Sequence, residues 1–192
     1  GALAGDAITT GGENCLFGMG AGGSIQTSIR NTFIGDDCGN TCTTGDSNVA
    51  MGHAAMGVGA TTGDFNVAIG HASGNRLTSG TLNTLVGKEA GKLINTGANN
   101  TFVGGLAGDA TDDGANNTAV GKGALSANCG DNNTAFGVST GSGVTGGGNT
   151  LIGTGAGNDI TVLTSGSNNS LIGAYLKTDS AGSDYAMGLG YN

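Results

Sequence analysis

The chain has no proline, no tryptophan and only eight aromatic residues (three Tyr, five Phe), so it lacks the bulky material of an ordinary globular core. Six bases stand against 14 acids, a net charge of −8. That balance excludes the basic face that nucleic acid or an anionic membrane surface requires. No apolar run approaches the length of a membrane span. The four Cys include no CxxC pair, which argues against zinc and against a disulfide scaffold. Cys15, Cys38, Cys42 and Cys129 instead occupy slots filled elsewhere by Thr, Ala, Ile and Ser, and are read as small packing residues. With only two His, no Ser-His-acid triad can be built, and no acid pair recurs as if across a cleft. No catalytic residue and no cofactor is expected.

What the chain has in abundance is glycine, 42 residues of it, at fixed places in a period. Gly97 to Gly104 (GANNTFVG) shows the unit. Its Asn recurs at Asn14, Asn31, Asn48, Asn66, Asn83, Asn100, Asn117, Asn133, Asn149 and Asn169, with Asp184 read as a degenerate last copy. Spacings of 15 to 20 residues sustained through a whole chain are the signature of a solenoid. The expectation is therefore all-β: one parallel β-solenoid domain over residues 1–192, with about eleven two-strand coils. The chain is read as a piece of a longer protein, since it begins without Met and both ends stop within the repeat.

With the Asn as position 0, position +1 is mostly Thr or Val, which favour a strand. Position +3 is apolar, as in Ile34, Val86, Val103 and Ile152, and position +4 is Gly. A small residue follows at +7 (Ala21, Ala55, Ala90, Ala107), and a second, weaker strand is expected around Ile25, Cys42, Leu77, Ile94, Val144 and Ile160. Stacked coils would carry the Asn column as a hydrogen-bonded ladder or, equally, as a set of local turn starters.

Position +2 is also apolar in every copy, and alternation puts +1 and +3 on one face and +2 on the other. Assigning +1 and +3 to the coil interior leaves Leu16, Phe33, Leu85, Phe102, Leu151 and Leu171 as an outer stripe. A stripe of that kind marks an interface along which several chains pack side by side.

Asp36, His53, His71 and Lys88 share position +5 in consecutive coils and should stack on one edge. His53 and His71 are weak candidates for a shared metal, against the plainer reading of a solvated edge. Repeated Gly-Asp pairs, such as Gly45–Asp46 and Gly63–Asp64, invite a calcium reading, but Asp suits such turns without an ion. Thr-rich second limbs, including Thr41 to Thr44 and Thr161, suggest a monomeric ice-binding solenoid. The regular Thr column at +1, placed inside the coil, argues against that alternative.

Asn66–Ser73 (NVAIGHAS) and Asn117–Ala124 (NTAVGKGA) resemble the head repeats of trimeric autotransporter adhesins. They are closer still to the NTAxGxxAG repeats of phage tail fibres. The resemblance covers nearly the whole chain, although the prevailing 17-residue coil is longer than the adhesin-head repeat. It implies a trimeric parallel β-roll with strands facing a common threefold axis, serving as a shaft or head segment of an extracellular fibre on a virion. A bacterial surface adhesin is the alternative. The implied partners are two further copies of the chain, other fibre or virion proteins at its ends, and host-surface glycan along its edges, with no nucleic acid and no membrane insertion.

Overall fold

The computed structural model describes residues 1–158, 164–176, 178 and 182–190. The chain is an all-β solenoid of about ten turns, with eleven parallel three-residue strands running from β1 (Cys15–Phe17) to β11 (Met187–Leu189). Each strand pairs only with those directly before and after it, and every pair is in register by repeat position, as in Thr84↔Thr101, Leu85↔Phe102 and Val86↔Val103. A rise of about 4.8 Å per rung gives a sheet about 50 Å long.

Three sequence expectations need correction. Among the described residues each coil carries one strand, not two, and the second limb is built of turns. There, successive amides of one coil converge on single carbonyls of the next, as Thr78, Ser79 and Gly80 N–H do on Asn95 O. That geometry cannot make a ladder, because one acceptor serves three donors. Ile25, Cys42, Leu77, Ile94 and Val144 still form a buried column beneath it, while Ile160 and Thr161 lie outside the described residues. Secondly, the last coil is shifted by two residues. Ala186, not Asp184, occupies the Asn position, since its amide bonds to Asn169 Oδ1 and Met187 pairs with Ser170.

The third correction reverses the two faces of the sheet. Position +2 points into the coil, with Phe33, Leu85, Phe102 and Leu151 completely buried, Leu171 nearly so, and Leu16 partly buried against the same core at the chain's first rung. These six residues fill the interior of a single chain and cannot form an interface with another. Positions +1 and +3 face outward.

Two glycine columns explain why the coil closes this way round. At +4 the backbone takes φ between +122° and +144°, open to Gly but not to side chains. A Cβ on Gly104 would stand 2.6 Å from the Gly121 carbonyl of the next rung. At +8 a Gly leaves room for the +2 side chain of its own coil. A Cβ on Gly91 would lie 2.7 Å from Leu85, and one on Gly108 would fall within the Phe102 ring. Where +8 carries a large residue, +2 shrinks to Ala: Met56 accompanies Ala50, and Leu125 accompanies Ala119. In these coils large residues at +2 and +8 fill the same space, as expected of a close-packed interior. In the Ala68/Gly74 and Ala135/Gly141 coils both are small, and Leu85 and Leu151 of the next coil lie nearest those glycines.

This compensation yields a test. Met56→Gly should leave a cavity and cost about 3 kcal/mol. Ala50→Leu alone should overpack the coil, at about 1–3 kcal/mol. The double variant recreates the Leu85/Gly91 arrangement, so urea unfolding should show it recovering most of either loss.

Candidate functional site

A column of buried asparagines runs the length of the coil stack. From Asn31 to Asn169, each Asn backbone amide donates to Oδ1 of the Asn one coil earlier, at 2.8–3.0 Å. Most also donate through Nδ2 to that same oxygen, as Asn100 does to Asn83 at 3.1 Å. Nδ2 then turns to the residue that closes its own coil: Asn83 to Gly97 O and Asn100 to Gly114 O, both at 2.9 Å. One side chain therefore satisfies three backbone groups or side-chain partners across two coils. These bonds carry the ladder reading; among the described residues, local bonding of Nδ2 to the carbonyl two residues earlier occurs at Asn31, Asn66 and Asn169. Asn117 departs from the pattern. Its Nδ2 is buried without a partner, and Gly130 O, which would close its 16-residue coil, accepts instead from Asn133 Nδ2.

The backbone that the ladder holds is strained. The residue before each Asn is left-handed in every coil from Glu13 to Tyr185, and position +6 is left-handed as well (Asp37, Ala54, Glu89, Leu106). Most of these residues are not glycine, and each costs on the order of 1 kcal/mol. Sequence reasoning missed both columns, because residues such as Phe65 and Leu82 carry no left-handed preference.

Three Asp residues of the Gly-Asp turns, those two before an Asn, act as caps between coils; Asp109, of Gly108–Asp109, does not, and its Oδ1 is buried without a partner. Asp46 Oδ1 accepts the Ile29 amide, Asp64 Oδ1 the Asp46 amide and Asp131 Oδ1 the Ala115 amide, each at 2.8 Å. Asp184 does the same for Ser167 at 2.6 Å, which is the role of the residue two before the Asn position. Each of these carboxylates thus has a backbone role at one oxygen that needs no ion.

Asp36, His53, His71 and Lys88 do line one edge in consecutive coils. The His53 and His71 rings stack with centroids 5.3 Å apart and planes 17° from parallel, and His53 Nε2 lies 3.8 Å from Asp36 Oδ2. Lys88 turns aside to Glu89 at 3.4 Å. Among the described residues, no group of three or more His, Cys, Asp or Glu is arranged to hold a metal ion.

The four cysteines are free thiols; Cys38, Cys42 and Cys129 are buried and Cys15 is exposed on the strand face. Burial pushes the Cys38 thiol up to about 12 and Cys42 to about 11. Cys129 stacks under Thr111 at 3.3 Å and belongs to the inner column, a buried packing residue as expected, though it does not stack in the Thr/Ser slot before the Gly.

The outer strand face is the site with the clearest chemical character. No strand residue carries a charge. The +3 column presents Phe17, Met51, Phe136, Ile152, Ile172 and Leu189 to solvent, with Ile34, Ile69, Val86, Val103 and Val120 half-buried between them. The +1 column beside it is chiefly Thr. Of fifteen exposed large hydrophobic residues among those described, twelve lie on or beside these strands: all except Leu3, Val58 and Tyr175. The concentration is too strong to be a scatter of surface residues.

No protein family, curated protein or solved structure matches this chain. Among the described residues there is no helix long and apolar enough to cross a membrane.

Two predictions follow from the buried groups. Asn100→Ala strands the Asn117 amide and Gly114 O in the interior and should cost about 3 kcal/mol. Asn14→Ala, at the half-buried first rung, should cost about 1 kcal/mol; denaturant unfolding of both variants gives the comparison. Because burial raises the Cys38 and Cys42 thiols, the folded state keeps protons that the unfolded chain releases. Their stabilising contribution is complete below the ordinary thiol range and is lost as pH climbs toward 11–12. A Cys38→Ala variant should show a shallower alkaline loss of stability than the parent.

Proposed function

We propose that this chain is a shaft or head segment of an extracellular fibre, assembled side by side as a homotrimer through its outer strand face. The observation that carries the reading is the uncharged apolar stripe of position +3, continuous over all eleven rungs. The strand face measures about 50 Å by 10 Å, or about 500 Å². A patch of that size is at the upper end of what monomers expose.

The occupant that fits the stripe is a second copy of the same repeat, because its rungs have the same spacing along the whole length. Three copies around a common axis would cover every stripe and leave no open face. The flanking charges favour a parallel, in-register arrangement. In it, the −1 flank of one copy meets the +5 flank of its neighbour at the same level. Arg30 would then stand opposite Asp36, Leu82 opposite Lys88, and Asn116 opposite Lys122, with one opposite-charge pair and no like-charge pair. The role is mechanical: a stiff spacer whose backbone is tied coil to coil and whose ends join other fibre proteins. A virion tail fibre suits the repeat's resemblance best, and a bacterial surface adhesin would use the same assembly.

A second reading has its own support. The Thr column at +1 faces outward beside the aliphatic column, so the earlier objection to ice binding no longer applies. Against it, Phe17, Met51 and Phe136 interrupt the flat array that a crystal plane would need.

The two readings divide on oligomeric state. Light scattering should give a molar mass of three chains, and Val103→Asp should yield a monomer with unchanged circular dichroism. Phe102→Asp, one residue away, should fail to fold at all. A wild-type monomer that holds ice below its melting point would overturn the fibre reading.

A further inference from the structure

The edge of the solenoid away from the strands carries a groove of about 590 Å³ running across five successive coils. Five rungs make it about 19 Å long from first to last. Its two walls come from alternating residues of the second limb, with Leu77, Ile94 and Thr111 between them pointing into the core. One wall is mainly aliphatic, with Val58 and Leu93 on either side of Arg76. The other is a polar column of Thr78, Asn95, Asp112 and Asn128, one residue per rung.

We propose that this groove is a binding site for a neutral, linear oligosaccharide. The polar wall offers groups not consumed by the fold. Thr78 Oγ1 is used on Asn95, and Asn128 Oδ1 accepts the Asp112 amide at 2.9 Å. Among the described residues, no protein partner engages Asn95 Nδ2, Asn128 Nδ2, the Asp112 carboxylate or the Arg76 guanidinium. The wall therefore presents amide donor, carboxylate acceptor and amide donor on three consecutive rungs. Sugar hydroxyls can both donate to the carboxylate and accept from the amides. The aliphatic wall suits the C–H face of a pyranose ring.

Other polymers fit less well. The single Arg and single Asp cancel, and a chain of net charge −8 repels nucleic acid and acidic glycans. An extended peptide would need a free backbone edge to pair with. The groove offers little of one, because Arg76, Leu93 and Thr78 donate their amides to Lys92, Asp109 and Asn95 of the next coil. The groove lies off the strand face, so its occupancy does not depend on trimer assembly.

The test is titration of the full chain with cellotetraose and with chitotetraose, both uncharged, followed by amide chemical shifts and calorimetry. At least one tetrasaccharide should give saturable shifts confined to the groove coils, with a dissociation constant near 1 mM or tighter. Asn95→Ala and Asp112→Ala should each weaken binding about tenfold, Asp112→Ala without lowering the melting temperature, since among the described residues its carboxylate bonds nothing in the fold. The proposal is overturned if neither sugar moves the groove resonances, or if the shifts survive both substitutions. It is equally overturned if a linear peptide saturates the groove while both sugars fail.

Discussion

Everything in this fold leans on the asparagine column. Each coil carries residues locked in left-handed conformations and a second limb with no strand, so an isolated coil has no means of holding its shape. The Asn side chain supplies it. By bonding the previous Asn and its own coil's closing carbonyl, it fixes where the chain enters and leaves each rung. Stability is thereby a property of neighbours rather than of single coils, as in other repeat architectures. Asn117, with its unpaired Nδ2 at the shortened coil, is the place where that coupling is thinnest.

The repeat, the strand, the glycine that ends it and the parallel register were all legible, because each is written as one residue type in one column. Which face is the interior was not. Columns +1, +2 and +3 are all apolar or β-branched, and alternation separates them without saying which set is buried. The deciding signal lay six residues away, in the pairing of Phe33, Leu85 and Phe102 with Gly39, Gly91 and Gly108, and of Ala50 and Ala119 with Met56 and Leu125. Complementary volumes at +2 and +8 in these five coils place both in one space, although the Ala68/Gly74 and Ala135/Gly141 coils carry small residues at both. The last coil misled for a related reason: Asp184 resembles an Asn by type, but Ala186 holds its backbone place.

Turning the sheet over moves the apolar stripe from Phe102 to Val103 without removing the case for assembly. The candidate interface is now the face that solvent sees, and it carries most of the chain's exposed hydrophobic side chains. The inner column that sequence reading placed there has become the core. The polar residues divide by atom: the Asn column and the Asp46 and Asp64 carboxylates serve the backbone, whereas Asn95 Nδ2, the Asp112 carboxylate and Asn128 Nδ2 line an open groove, Asn128 Oδ1 being spent on the Asp112 amide.

The claim that the Asn ladder holds the solenoid together is tested most directly by hydrogen exchange of its own protons, resolved by NMR. The backbone amides from Asn31 to Asn169 and the Asn Nδ2 protons should be the slowest to exchange in the molecule, with a local dip at the Asn117 side chain. Exchange of these protons as fast as that of the exposed second-limb amides would contradict the account, and would leave the coils held by apolar packing alone.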